Sequence, residues 1–349
     1  MMDEPLSPKE RLFRAINKEK IDRPPCICPG GMMNMIVEDV MDITGVKWPE
    51  AHSDSEMMAK LTMGVYENGG FENFGVPFCM TVEAESMGAT VGLGTKVNEP
   101  RVTEYPIGSV VEWKNLKSID TNEGRTKVVL DAIKILEDKK LEVPIIANLV
   151  GPVSTASSLM EPTTYYKELR RKPKEAHEFM EFVTKNLIIF AKAQIKAGAD
   201  IIAISDPSGT GEILGPQLFL EFTIPYLNKI VEEVKEEVPG GIIIHICGKL
   251  RSIYGELNLL ESEVISFDSI TSVREVANNV GENKAVMGNV STLAIERGNL
   301  DNIKKLANGC IRNGVDILSP ACGIGAKTKL ENIKLLVETA REANSKAAL

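Results

Sequence analysis

The sequence has no excess of positive charge, because 40 Lys and Arg residues stand against 49 Asp and Glu residues and give a formal net charge of −9. This balance argues against a nucleic-acid-binding protein that depends on neutralising phosphates. The sequence also has no long apolar run, since its most apolar helical stretch, 187–195, is interrupted by Lys192. Residues 1–5 contain no basic segment followed by an apolar one. We therefore expect a cytoplasmic protein with no nucleic-acid partner and no membrane segment.

Cysteine is sparse, with six residues in a chain of 349. Small secreted disulfide scaffolds carry a much higher proportion, so free thiols, metal ligands or catalytic thiols are the interpretations that remain. The sequence also has no Ser/Gly-rich linker and no low-complexity stretch that would divide it. We predict one domain over residues 1–349, long enough to bury a large core.

From about residue 140 onward, short β-branched runs alternate with amphipathic helical patterns, which is typical of repeated βα units around a parallel sheet. Eight segments are predicted to be strands: Pro24–Pro29, Val76–Val82, Val143–Leu149, Asp200–Ser205, Ile242–Cys247, Val264–Asp268, Ala285–Val290 and Asp316–Ser319. A closed barrel needs eight strands. We therefore predict an α/β fold, a single (β/α)8 TIM barrel with an N-terminal helical elaboration and a hairpin insertion over 81–113. A doubly wound open sheet is the alternative.

Polar residues recur at the C-terminal ends of these strands, where a strand buried on both faces should be apolar. They are Asn148, Asp206, His245 with Cys247, Asp268, Asn289 and, just beyond the last strand, Cys322. In a barrel these ends converge on one mouth, the usual place of an active site. We expect Asp206, Asn289 and the turn from Gly209 to Gly211 to position substrate. Capping of neighbouring loops would place the same residue types there.

One strand carries the pattern Ile244-His245-Ile246-Cys247-Gly248. Residues two apart on a strand project to the same side, so His245 and Cys247 can reach one metal ion. Cys322 follows the last strand, which neighbours the first in a closed barrel, and can supply a third ligand across the mouth. One imidazole and two thiolates suit Zn²⁺ and leave a position open for chemistry. A buried histidine with two core cysteines is the alternative.

The other four cysteines are interpreted as packing residues. Cys26 and Cys28 share one strand face, and we favour packing at the wall of the site over a metal-binding or dithiol role. Cys310 lies on the apolar face of a predicted helix, and Cys79 is also predicted to lie in the core.

Two acidic residues and two histidines are weaker candidates. Glu83 and Glu85 could line the site, but we favour solvated positions at its edge. His52 and His177 lie among polar residues in the sequence and receive no role.

The polar strand-end segments also carry a family resemblance. They are His245-Ile246-Cys247-Gly248, the segment Ala199–Pro207, Met287-Gly288-Asn289-Val290 and Ile317–Gly323. Together with Trp48-Pro49-Glu50-Ala51-His52, they resemble the uroporphyrinogen decarboxylase-like superfamily and, within it, the methylcobamide:coenzyme M methyltransferases. The resemblance runs along nearly the whole chain.

This resemblance implies a barrel in which His245, Cys247 and Cys322 hold zinc and form the catalytic centre. The fourth zinc ligand is then either Asp268, where related proteins tend to have a glutamate, or a water molecule. The true decarboxylases of the superfamily have an arginine-bearing segment near the N-terminus. The corresponding stretch here, 23–31, lacks the later arginines, so decarboxylation is disfavoured.

The implied function is transfer of a methyl group from a methylcorrinoid, carried by a separate corrinoid protein, to a thiol. Zinc would hold the acceptor, coenzyme M, as its thiolate, whereas a free thiol has a pKa near 8.5 and is only slightly ionised at neutral pH. Three alternatives stay open: tetrahydrofolate as the acceptor, a metal-independent decarboxylase, and a non-catalytic module that binds a corrinoid protein.

Overall fold

The computed structural model describes residues 5–343 and contains nine β-strands in that range. In chain order they are β1 Phe74–Val76, β2 Thr90–Gly92, β3 Arg101–Glu104, β4 Ile145–Val150, β5 Ile201–Ser205, β6 Ile242–Ile246, β7 Val264–Phe267, β8 Ala285–Val290 and β9 Ile317–Pro320. Seven of them form one sheet in the order β1-β4-β5-β6-β7-β8-β9, in which every neighbouring pair is parallel. Residues 1–4 lie outside the described residues. They include most of the stretch that was expected to lack a basic segment followed by an apolar one.

The strands of this sheet are buried along their whole length, and helices cover its outer side. The α-helices are Pro8–Ile16, Glu38–Thr44, Ser55–Glu67, Val82–Ser86, Gly124–Asp138, Pro152–Leu159, Pro162–Arg171, Pro173–Ala197, Gly211–Leu218, Ile224–Val234, Val273–Asn279, Thr292–Arg297, Leu300–Arg312 and Leu330–Glu342. Segments of 3₁₀ helix are Glu50–His52, Val110–Asn115 and Arg251–Leu259, and Phe219–Thr223 is a π-helical turn. Alternation of apolar strands with helices confirms the predicted α/β barrel class.

The predicted first strand, Pro24–Pro29, closes the sheet without forming a regular strand. Cys26 makes a single parallel bridge to Leu318 of β9, and on the other side its carbonyl accepts a hydrogen bond from the N–H of Glu72 at 3.0 Å. The Asn73 side chain bonds both the N–H and the carbonyl of Cys28, at 3.0 and 2.9 Å. A continuous ladder cannot form because three of the six residues are prolines, which have no N–H.

Close contact with this segment requires glycine at position 75. A Cβ atom on Gly75 would lie 2.1 Å from the carbonyl oxygen of Pro29. The glycine therefore lets β1 approach the segment that completes the eighth position of the barrel.

The predicted second strand, Val76–Val82, is wrong in its bounds, because the strand ends at Val76. Pro77, which follows, cannot donate to a ladder, and Val82 begins a helix. The six later strands agree with the prediction to within two residues at each end. The insertion contains the antiparallel hairpin of β2 and β3. No helix within residues 5–343 is both long enough and apolar enough to cross a bilayer.

Candidate metal centre at the barrel mouth

The three proposed metal ligands come together at the C-terminal ends of β6 and β9. His245 is the fourth residue of β6, Cys247 is the first residue beyond it, and Cys322 lies two residues beyond β9. His245 Nε2 lies 3.2 Å from Cys247 Sγ, which lies 3.7 Å from Cys322 Sγ. All three ligand atoms lie within 4.8 Å of one another. Closure of the barrel therefore joins residues that are far apart in the sequence.

This geometry fits a tetrahedral zinc site. Zn–S bonds of about 2.3 Å and Zn–N bonds of about 2.1 Å at tetrahedral angles separate two sulfurs by roughly 3.8 Å and a nitrogen from a sulfur by roughly 3.6 Å. The observed separations of 3.7 and 3.2 Å are close to these values. His245 is buried, whereas both cysteines are partly exposed. Three ligands and an open side are typical of a catalytic zinc site rather than a structural one.

Ser266 of β7 orients the imidazole of His245. Its Oγ lies 2.9 Å from His245 Nδ1, which leaves Nε2 directed at the two sulfurs. Such a partner holds the ring orientation and tautomer of a metal-binding histidine. Ser266 was not predicted from the sequence, although it is a polar residue in an otherwise apolar strand and pairs in register with His245.

A hydrogen bond between the two thiols couples their ionisation. The hydrogen bond from Cys247 lowers the pKa of Cys322, and His245 lowers it further. The pKa of Cys247 is raised, because it hydrogen-bonds Cys322 and is removed from water. One sulfur is thus ready to bind metal, and binding displaces the proton of the other.

Asp268 lies outside the group of three ligand atoms. Its Oδ1 accepts hydrogen bonds from the N–H of Ile270 at 3.1 Å and from Ser269 Oγ at 3.2 Å, within the turn that follows β7. It is nevertheless near enough for its charge to raise the pKa of Cys247. Direct ligation by Asp268 would require these turn contacts to change.

Asp206, predicted to position substrate, is hydrogen-bonded within the scaffold. The side chain is completely buried, and its carboxylate accepts hydrogen bonds from the N–H groups of Val153, Ser154 and Gly209 and from Ser154 Oγ, at 2.6 to 3.2 Å. Burial raises the pKa of Asp206 to about 6, because its effect is larger than that of the hydrogen-bond donors, which lower the pKa. The helix Pro152–Leu159 begins after Gly151, which has no side chain to cap it. Asp206 caps this helix from the neighbouring strand.

Asn289, Gly209 and Gly211 are likewise engaged within the protein. The Asn289 amide donates hydrogen bonds to the carbonyls of Asp268 and Thr271, at 3.0 and 2.8 Å, and thereby holds the loop after β7. The N–H of Gly209 bonds Asp206, and Gly211 begins the next helix. These contacts agree with the capping alternative noted from the sequence, and a role of these residues in positioning substrate stays a prediction.

Glu83 is buried, not solvated as the sequence analysis favoured. Its Oε1 accepts a hydrogen bond from the N–H of Val150 at 2.9 Å, and its Oε2 has no partner within the described part of the chain. Burial raises the pKa of Glu83 to about 7. Glu85 is partly exposed and forms an ion pair with Arg125.

Glu83→Gln is expected to remove one pH-dependent part of the stability. The pKa of Glu83 rises from an ordinary 4.5 to about 7 on folding, so the protonated acid favours the folded state. This contribution is complete below pH 4.5 and is lost as the pH rises through 7, by on the order of 3 kcal/mol. Urea unfolding of both proteins from about pH 5 to about pH 8.5 measures it.

The wild type should lose stability relative to Glu83→Gln as the pH rises over this range. The matched control is Glu104→Gln, which changes an exposed acid of β3 and should leave the pH profile parallel to that of the wild type. A pH-independent difference between wild type and Glu83→Gln would contradict a protonated Glu83 in the fold.

The four other cysteines are buried, as predicted. Cys28 Sγ lies 3.1 Å from the carbonyl oxygen of Met33, and burial together with the nearby charge of Cys322 raises the pKa of Cys28. Cys28 therefore stands at the wall of the metal centre as a neutral thiol. Cys310 Sγ contacts Asn289 Oδ1 at 3.5 Å.

His52 does not lie in polar surroundings, as its sequence neighbours suggested. It is 1% exposed, and its ring centroid lies 4.9 Å from that of Trp48 in a tilted arrangement and 6.2 Å from that of Phe78 in an edge arrangement. Burial, with a smaller effect from Arg125, lowers the pKa of His52 to about 3, so the ring is neutral. His177 is partly exposed, and its Nδ1 lies 2.7 Å from the Tyr226 hydroxyl.

Comparison with known proteins places these features in a family. A family model described as uroporphyrinogen decarboxylase (URO-D) matches residues 7–343. The chain is 33% identical over 337 residues to the methylcobamide:CoM methyltransferase MtbA of Methanosarcina acetivorans, a match that covers 96% of this chain and 98% of MtbA. It is 33% identical over 332 residues to the methylcobamide:CoM methyltransferase MtaA of Methanosarcina barkeri, covering 94% and 96% of the two chains.

The solved structure of a methyltransferase from Methanosarcina mazei is similar along the whole chain. It superposes with a TM-score of 0.89 at 33% sequence identity and covers 97% of this chain and 99% of that one. The sequence and structure comparisons therefore both find methyltransferases of Methanosarcina at 33% identity.

Proposed function

Because this chain belongs to the uroporphyrinogen decarboxylase family and, within it, to the methylcobamide:coenzyme M methyltransferase branch, we propose that it transfers a methyl group from a methylated corrinoid protein to coenzyme M. The observation that supports this most strongly is the cluster of His245, Cys247 and Cys322 at the barrel mouth. We also propose that residues 1–349 work as one domain in the cytoplasm.

The reaction moves a methyl group from cobalt to sulfur. The carbon–cobalt bond breaks with its electron pair left on cobalt, which is reduced from Co(III) to Co(I), while the acceptor thiolate supplies the pair for the new carbon–sulfur bond. Zinc, when bound by the three ligands, keeps the acceptor sulfur deprotonated. The partial exposure of Cys247 and Cys322 leaves one side of the centre accessible to acceptor and donor.

The residues around the centre keep it in a single arrangement. Ser266 fixes the imidazole plane of His245, and Cys28 closes the wall as a neutral thiol. Asp206 and Asn289 hold the loops after β5 and β7, so the mouth keeps its shape when a large partner approaches. A corrinoid is too large to be enclosed beside a small thiol, so its carrier protein docks at the mouth.

Two features separate this function from the alternatives. Two sulfur ligands suit a metal that activates a thiol, whereas the nitrogen of tetrahydrofolate gives zinc no comparable task. Arg23, the arginine that precedes the closing segment, forms a bidentate ion pair with the buried Glu72 and is not free to bind a carboxylated porphyrin. A complete ligand set also argues against a non-catalytic module.

The expected result is zinc-dependent methylation of coenzyme M. The purified protein should contain about one zinc per chain and should convert free methylcobalamin and coenzyme M to methyl-coenzyme M and Co(I)-cobalamin, followed by the corrinoid absorbance. Removal of zinc with a chelator should stop the reaction, and added zinc should restore it. Tetrahydrofolate serves as the parallel acceptor. Transfer to tetrahydrofolate alone, or transfer that survives the chelator, would contradict the proposal.

A further inference from the structure

A methionine lies behind the histidine of the metal centre. Met33 belongs to the segment 30–34, which follows the closing segment of the barrel, and its side chain is 1% exposed. Met33 Sδ lies 3.8 Å from Ser266 Oγ, and Ser266 Oγ lies 2.9 Å from His245 Nδ1. The thioether, the hydroxyl and the imidazole therefore form a chain of contacts that ends at a proposed metal ligand.

The segment 30–34 is fixed to the loop after β9. The Asn34 carbonyl accepts a hydrogen bond from the N–H of Ile324 at 2.9 Å, and the Asn34 amide donates one to the carbonyl of Ile324 at 3.1 Å. A Cβ atom on Gly323 would lie 2.4 Å from the carbonyl oxygen of Met32, so this close contact requires glycine. The loop that supplies the third proposed ligand therefore also holds the segment in place.

One arrangement of protons satisfies both contacts of Ser266. A thioether sulfur carries lone pairs and no proton, so Met33 Sδ can only accept a hydrogen bond. The serine hydroxyl has one proton to donate, and among residues 5–343 its oxygen has no hydrogen-bond partner besides Met33 and His245. When that proton points to the sulfur, the hydroxyl oxygen accepts from a protonated Nδ1.

This arrangement selects the tautomer that a metal site needs. With the ring proton on Nδ1, His245 Nε2 keeps its lone pair, and Nε2 is the nitrogen that lies 3.2 Å from Cys247 Sγ. Without an acceptor at position 33, the Ser266 hydroxyl is free to donate to Nδ1. The ring proton then moves to Nε2, where it blocks the nitrogen that would bind the metal.

We propose that Met33 is a positioning residue of the metal centre, whose thioether holds the Ser266 hydroxyl so that His245 stays in the Nδ1–H tautomer and binds zinc through Nε2. The inference rests on the metal centre of the proposed function. The effect of Met33 passes through Ser266, because the sulfur contacts the hydroxyl and not the imidazole.

The first measurement determines the tautomer in the metal-free protein. The chain has three histidines, so ¹⁵N-histidine labelling and two-bond ¹⁵N–¹H correlation spectra resolve each ring, and the variants His52→Phe and His177→Gln assign them. At about pH 8.5, where an ordinary imidazole is neutral, His245 should show the Nδ1–H tautomer in the wild type. Met33→Leu should shift the equilibrium toward Nε2–H by about threefold to tenfold, the range for one neutral hydrogen bond.

The second measurement is zinc affinity, by competition with a chelating dye. Ser266→Ala should lower the affinity about tenfold to hundredfold, as is typical for the partner of a metal-binding histidine, and Met33→Leu about threefold to tenfold. In the Ser266→Ala background, Met33→Leu should change the affinity by less than about twofold, because the methionine acts through the hydroxyl.

The matched control is Met35→Leu. Met35 is a completely buried methionine two residues further on, and its Sδ lies 4.0 Å from Thr62 Oγ1 and from Asn73 Nδ2. This variant loses a thioether of the same kind and should leave the tautomer of His245 and the zinc affinity unchanged.

An Nε2–H tautomer of His245 in the wild type would overturn the role of Met33, whether or not the variants fold. Equal losses of zinc affinity from Met33→Leu with and without the Ser266 hydroxyl would also overturn it, since they would indicate a general packing effect. A wild-type protein that binds no zinc would instead refute the metal centre of the proposed function. The tautomer of the metal-free protein would still decide whether Met33 sets His245.

Discussion

Replacement of Cys247 by alanine is expected to abolish zinc binding and methyl transfer together. The variant removes the central atom of the cluster, since Cys247 Sγ lies 3.2 Å from His245 Nε2 and 3.7 Å from Cys322 Sγ. Two ligands from opposite sides of the mouth cannot hold zinc with useful affinity. Because the acceptor thiol then loses its activation, we expect methyl transfer to fall by about three orders of magnitude or more.

The measurement combines zinc content, the absorbance of the Co(II)-substituted protein, and rates with methylcobalamin and coenzyme M. The control is Cys310→Ala, because Cys310 is a buried cysteine outside the cluster and should keep both metal and activity. Thermal unfolding of the metal-free proteins tests whether the two variants are equally folded. A Cys247→Ala protein that is free of metal and fully active would refute the metal centre.

Replacement of Asp206 by alanine is expected to destabilise the fold by about 4 kcal/mol. The change leaves the buried N–H groups of Val153, Ser154 and Gly209 and the Ser154 hydroxyl without their acceptor. Each such loss costs roughly 1 kcal/mol or more, and the first turn of the helix Pro152–Leu159 loses the cap that the Asp206 carboxylate provides. Urea unfolding of the metal-free protein measures the change.

Asp268→Ala provides the comparison, because Asp268 also follows a barrel strand but is partly exposed and holds only a local turn. It should cost about 1 kcal/mol or less. Asp206→Ala protein with wild-type stability and weakened acceptor binding would restore the role in substrate positioning that the sequence first suggested.

The histidine and cysteines were predictable because their pattern depends on a short spacing and a closed topology. His245 and Cys247 share a strand face whatever surrounds them, and closure of the barrel brings Cys322, just beyond the last strand, to the same mouth. The parallel strands were predictable for a similar reason. Both of their faces are buried, so their residues read as continuous apolar runs.

The closing segment shows where local pattern was insufficient. The sequence indicated a strand at Pro24–Pro29, and the chain does run there between β9 and β1. Its prolines, however, leave the side chain of Asn73 to complete the hydrogen bonding. The same limit applies to His52, whose neighbours in sequence are polar but whose contacts in space are the rings of Trp48 and Phe78.

The sequence by itself determined the class of the fold and the three candidate ligands, since these depend on the alternation of strands with helices and on positions at strand ends. Only the tertiary structure decided which polar residues face the mouth and which serve the scaffold. Asp206 and Asn289 lie at strand ends, as His245 does. The segments that pack against them, however, form hydrogen bonds with their side-chain atoms. Hydrogen bonding between distant segments is a property of their packing, and a single sequence does not display it.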